Sequence, residues 1–125
     1  MLFMALPSPR EQRTSFRFIR VIPVSYATEE FAEIRAIARN ISTGGMLIET
    51  PFPPALGTEV RIHFQIPDSQ ASIMARAEVK NHYVFNYTEK GEPRVARGMG
   101  VRFLEFVEDS EDQMRSSLAR WRTLH

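Results

Sequence analysis

The sequence predicts an all-β domain in which about six short strands form an antiparallel barrel, followed by one C-terminal α-helix. Three observations carry this expectation. Apolar and polar residues alternate with a period of two, no helical periodicity separates the alternating segments, and each segment ends among proline, glycine, serine or asparagine. Such strands fit a sandwich as well as a barrel. At 125 residues, one domain with one core, the barrel is preferred because its closure removes exposed edges.

Residues 1–12 read as a flexible N-terminal tail broken by Pro7 and Pro9, and residues 13–125 as the domain. The β-branched and aromatic run from Phe18 to Tyr26 is a first strand, and Pro23 makes it an edge or bulged one. After a turn at Glu29 and Glu30, a second strand places Ala32, Ile34, Ala36 and Ala38 on one side. The polar knot Asn40-Ile41-Ser42-Thr43-Gly44-Gly45 ends it. A short strand, Met46 to Glu49, stops at the turn-rich stretch 51–57. Val60, Ile62, Phe64 and Ile66 then alternate with Glu59, Arg61, His63 and Gln65, the pattern of a strand with one wet face.

Ile73, Ala75, Ala77 and Val79 repeat that alternation, with Tyr83-Val84-Phe85 as an extension. Residues 86–94, containing Gly91 and Pro93, read as a long hairpin loop before a last strand marked by Met99, Val101 and Phe103. Ser110 with Gln113 fits a capping box, and Met114, Leu118 and Trp121 recur at helical spacing, so an amphipathic helix is expected to plug or flank the barrel.

Composition excludes several classes of function. A formal net charge of +1, from 16 basic and 15 acidic residues, is not that of a nucleic-acid coat or a polybasic membrane anchor. The polar face built from Glu59, Arg61, His63 and Gln65 is neither basic nor aromatic enough to hold single-stranded nucleic acid. No apolar run approaches the roughly 20 residues of a membrane helix. With no cysteine there is no disulfide framework, and the cytoplasm is the expected compartment. His63, His82 and His125 have no partners at metal-ligand spacing, and no nucleophile elbow or phosphate loop is present, so no enzyme, metal or cofactor is expected. Glu29, Glu30, Glu108 and Asp109 fall at turns, where solvation or helix capping accounts for them.

Two features exceed what folding requires. Arg13 and Arg17 stand four apart just before the first strand. In a helical turn they share a face, and in an extended chain both point the same way roughly 13 Å apart. The guanidinium fork suits phosphate oxygens and the O6 and N7 edge of guanine, and its plane stacks on a base. In the polar knot, Asn40 and Ser42 lie two apart and so share a side of an extended chain, while Gly45 permits close backbone approach. Read separately, arginines four apart more often form a solvated face, and the knot is more often a tight turn.

Taken together, Arg-x-x-x-Arg and the later Asn-x-Ser-x-x-Gly resemble the two-part signature of the PilZ domain family. The resemblance extends to Arg20-Val21-Ile22-Pro23-Val24, to the segment from Pro53 to Val60, and to Gly98-Met99-Gly100-Val101-Arg102-Phe103-Leu104. It implies a six-stranded barrel that binds the bacterial second messenger cyclic di-GMP and signals to a downstream protein partner in motility, biofilm or pilus regulation. It further implies that Arg13 and Arg17 hold guanine edges and phosphates as the N-terminal segment wraps the ligand, with Asn40, Ser42 and Gly45 completing the site. This chain carries Asn40 where aspartate is the more usual family residue, and Gln12 where many members place a further arginine. An amide oxygen still accepts from guanine N–H groups, without the added strength of a carboxylate. The alternative is a nucleotide-independent adaptor that docks through exposed apolar residues, with Phe3, Leu6, Phe52 and Tyr83 as candidates.

Overall fold

The computed structural model describes residues 18–66, 69, 71–107 and 110–124, with side chains between residues 21 and 120. Six strands, β1 (Phe18–Ala27), β2 (Ile34–Ile41), β3 (Gly45–Glu49), β4 (Glu59–Gln65), β5 (Ser72–Glu89) and β6 (Glu92–Phe106), precede one helix, α1 (Ser110–Leu124). Every pairing is antiparallel, and the strands close into a barrel in the order β1-β2-β3-β6-β5-β4. The all-β fold expected from the alternation is the one observed.

The interior follows the period-two pattern directly. Val60, Ile62 and Phe64 of β4 point inward and are buried, while Glu59, Arg61, His63 and Gln65 between them are exposed. On β5 the inward row is Ile73, Ala75, Ala77 and Val79. Large and small residues face each other across the ladder, Val60 with Ala77 and Ile62 with Ala75, which lets side chains fill a narrow barrel without overlap. On the outer face Arg76 bonds Glu59 and Glu105, each at 2.6 Å. The Glu105 carboxylate first, then that of Glu59, holds its guanidinium more firmly protonated than usual.

Pro23 sits where β1 has a partner on one side only. It pairs with Ile37 of β2, whereas β4 joins β1 from Val24 onward, and the β1–β2 register shifts between Ile19 and Ile22. The missing proline N–H therefore costs no ladder bond on the β4 side.

Two expectations are corrected. The polar knot does not end β2 at Asn40, because the strand continues through Asn40 and Ile41, Gly45 already opens β3, and the turn shrinks to residues 42–44. Both flanking strands still supply partners at this level, Ile19 and Phe18 on one side, Leu47 and Met46 on the other. The long loop at 86–94 is likewise absent, since β5 runs to Glu89 and β6 starts at Glu92. Lys90 and Gly91 alone form the turn, with φ of 51° and 79°, the double positive φ of a type I′ hairpin. In such a hairpin the pair beside the turn exchanges the hydrogen bonds. Pro93, one step further and opposite Thr88, therefore turns its nitrogen outward and is tolerated.

Helix α1 closes the end of the barrel where β4 turns into β5. Met114 and Leu118 are buried in the barrel core, as their helical spacing predicts; the side chain of Trp121 lies outside the described residues. The Ser110 hydroxyl makes a tertiary bond, accepting the Met74 N–H of β5 at 3.0 Å. About two turns further on, Ser117 pairs with Ser69 of the β4–β5 connection at 3.1 Å.

Closure between β3 and β6 depends on Gly45. A Cβ built there would collide with the Val101 carbonyl oxygen and crowd the Arg102 Cα, all backbone atoms with nowhere to move. At neighbouring Gly44 a Cβ would meet only the Ser42 Oγ, at 3.9 Å. Gly45→Ala is therefore expected to lower unfolding free energy by about 2 kcal/mol, with Gly44→Ala within about 0.5 kcal/mol of the parent protein, both read from urea midpoints. Met114→Ala, which empties the contact between α1 and the core, is expected to cost about 3 kcal/mol in the same measurement.

Candidate functional site

The turn at residues 42–44 is built by its own hydrogen bonds. The Ser42 N–H donates to the Gly45 carbonyl at 2.9 Å, and the Gly44 N–H donates to the Ser42 hydroxyl at 3.2 Å. The Phe103 N–H donates to the Gly44 carbonyl at 2.9 Å, which pins the turn to β6. Serine suits this position because its short side chain reaches the backbone two residues on.

Ile41 enters the core, so Asn40 and Ser42 flank it on the other side. Both are buried, at 3% and 1% exposure, and Asn40 has an interacting partner of its own. The structure thus brings Asn40, Ser42 and Gly45 together on one turn and its two flanking strands. Gly45 has a packing reason to be glycine, as described above, in addition to any close approach of a ligand. Arg13 and Arg17 lie outside the described residues, as do Phe3 and Leu6.

The outer face beside this turn carries features that the sequence reading did not single out. Leu47 lies between the core residues Met46 and Ile48, and therefore points outward, yet it is only 5% exposed. It pairs with Asn40 on one side and Gly100 on the other. The Tyr83 ring lies over Gly100, where a Cβ would come within 2.8 Å of its Cε2, and the Phe85 ring lies over Gly98. The two rings stack with centroids 6.3 Å apart. Two glycines spaced two apart in a strand are the sequence signal that would have found this shelf, because glycine inside a strand marks close approach by another group.

The charges near the turn are unequal in their freedom. Arg39 is clamped, its Nε and Nη2 both donating to Glu49 Oε1 at 2.9 and 2.7 Å, with both side chains about four-fifths buried. Arg102 of β6, the register partner of Gly45, is exposed.

At the opposite end of the barrel, a cleft of about 540 Å³ is lined by Thr28, Glu29, Glu30, Phe31, Glu59 and Arg61, among others. Carboxylates predominate there, so it disfavours an anionic ligand in spite of its size. His63 bonds Ser72 and His82 bonds the Pro54 carbonyl, at 2.6 and 2.7 Å. Among the described residues no three histidine or carboxylate side chains gather as metal ligands would, and no helix is long and apolar enough to cross a membrane.

Comparison with known proteins bears on this arrangement. No curated protein matches by sequence. Among solved structures, the inhibitor of motility MotI/DgrA from Bacillus subtilis is 23% identical, with a TM-score of 0.65 over 89% of this chain and 52% of that one. MrkH in its K. pneumonia complex with c-di-GMP is 16% identical, with a TM-score of 0.71 over 89% of this chain and 52% of that one. The PilZ domain of YcgR from Escherichia coli with c-di-GMP is also 16% identical, with a TM-score of 0.69 over 90% and 94% of the two chains. The chain spans about half the length of the first two. At these identities the likeness is one of fold. The family model described as PilZ domain, however, matches residues 11–120, and with the barrel, its helix and the hydrogen-bonded turn at residues 42–44 all in place, the chain belongs to the PilZ domain family.

Proposed function

We propose that this domain is a cyclic di-GMP receptor without catalytic activity. Its binding face is the outer surface around Asn40, Ser42 and Gly45, and Arg13 and Arg17 close over it from the N-terminal segment. The observation that carries this reading is the register of β1 on β2. Phe18 pairs with Ile41 and Ile19 with Asn40. Arg17 immediately precedes Phe18 in the sequence, and Phe18 faces the middle of Asn40-Ile41-Ser42. The two halves of the signature are 23 positions apart in sequence, from Arg17 to Asn40, and the pairing of Phe18 with Ile41 supports reading them as one site.

The chemistry is complementary. The amide of Asn40 and the hydroxyl of Ser42 match the donor and acceptor groups of a guanine edge, and two arginines match phosphodiester oxygens and guanine N7 and O6. Family membership, and the cyclic di-GMP named for the YcgR and MrkH structures, support the choice of ligand. Binding orders the segment before β1 and so alters a surface that a downstream protein partner reads. The likeness to a motility inhibitor supports motility as one such pathway.

A second reading, an adaptor that docks without nucleotide, is favoured by the exposure of Phe52, at 88%, near Leu56 at the cleft end of the barrel. It requires the Arg13→Ala, Arg17→Ala double variant to co-precipitate the same proteins as the parent chain.

Isothermal titration with cyclic di-GMP distinguishes the two. Saturable heat is expected for the parent protein, with Arg17→Ala weaker by roughly tenfold to a hundredfold, the value of one charge-assisted hydrogen bond. Absence of heat from the parent protein, with Arg17→Ala no different, overturns the receptor reading.

A further inference from the structure

One cation on the binding face is left unassigned by the two-part signature. Arg102 lies in β6 between Val101 and Phe103, which face the core, so its side chain leaves the barrel on the outside and is exposed. Its register partners are Gly45 of β3 and Glu78 of β5. Glu78 is engaged by Lys80 at 3.6 Å, and Arg102 has no ion pair among the described residues. On the other flank Gly45 has no side chain, so the path from Arg102 toward the turn is open.

The position is also fixed. The Phe103 N–H donates to the Gly44 carbonyl at 2.9 Å, and Arg102 faces Gly45 in the β3–β6 ladder, so Arg102 and the Ser42 turn are held in one register. An arginine stem is long enough to cross the roughly 4.8 Å to the neighbouring strand. Of the two arginines beside the turn whose side chains are described, Arg39 is held by Glu49 and Arg102 is available to an incoming anion.

We propose that Arg102 is a third arginine of the nucleotide site, gripping a phosphodiester oxygen from the barrel side while the N-terminal arginines approach from the other. This rests on the cyclic di-GMP reading. An arginine carried on the sheet itself gives the ligand an electrostatic contact that does not depend on the N-terminal segment.

The test is titration of cyclic di-GMP into the full chain and into Arg102→Ala, Arg102→Lys and Arg61→Ala, at two salt concentrations, with melting temperatures recorded for each. Arg61 is an exposed arginine at the opposite end of the barrel and serves as the reference. The expected result is that Arg102→Ala binds about tenfold more weakly with a reduced sensitivity to salt, that Arg102→Lys falls between it and the parent, and that Arg61→Ala matches the parent. Unchanged melting temperatures would show that the loss is one of binding. If the parent protein binds and Arg102→Ala stays within about twofold of it, the assignment of Arg102 is overturned and the receptor reading stands. If the parent protein does not bind, both are overturned together.

Discussion

Closing six strands into a ring obliges β3, five residues long, to pair with β2 on one side and β6 on the other over almost its whole length. That double pairing leaves no room for a side chain at its first residue, where the β6 backbone passes directly behind Gly45. The tight turn before β3, the hydrogen bond from Phe103 to Gly44, and the burial of Asn40 and Ser42 all follow from how closely these three strands are drawn together. A site built on such a junction is stiff, because displacing one of its atoms means displacing a ladder.

On the proposed reading, a protein with almost balanced charge owes its face for an anion to where its charges are placed. The carboxylates of Glu29, Glu30 and Glu59 collect around the cleft at one end of the barrel. Away from the cleft lining, Glu49, Glu78 and Glu105 are engaged by Arg39, Lys80 and Arg76, so these negative groups are already paired. Local placement, which a net charge of +1 conceals, decides what each end can attract.

How much of this was legible in the sequence depended on the range of the interactions. The cores of β4 and β5 could be read from alternation, because a half-buried strand imposes its period on its own residues, and Met114 and Leu118 announced the helix in the same way. Residues 86–94 misled because Asn86, Gly91 and Pro93 are turn formers by composition, whereas the extended pairing of Tyr87 with Arg94 and Thr88 with Pro93 depends on where the two positive φ angles fall. Asn40 looked like the end of a strand since its side chain is polar, and only the presence of partners on both sides keeps it in the ladder. The role proposed for Arg102 had no sequence signal for a related reason. It rests on Arg102 facing Gly45, 57 positions earlier in the chain, and register of that kind leaves no local mark.

Beyond Gly98, the last residue of β6 to pair with β3, the β5–β6 hairpin runs on to its two-residue turn as a ribbon whose strands pair only with each other. Such a ribbon is a natural place for length to vary in descent. Removing or adding two residues on each strand preserves which faces look inward and leaves the barrel register untouched, whereas a change of one would invert every side chain beyond it. Homologues of this chain can therefore differ in the reach of this arm by whole steps of the pleat while keeping the turn at Ser42 and its neighbours in place.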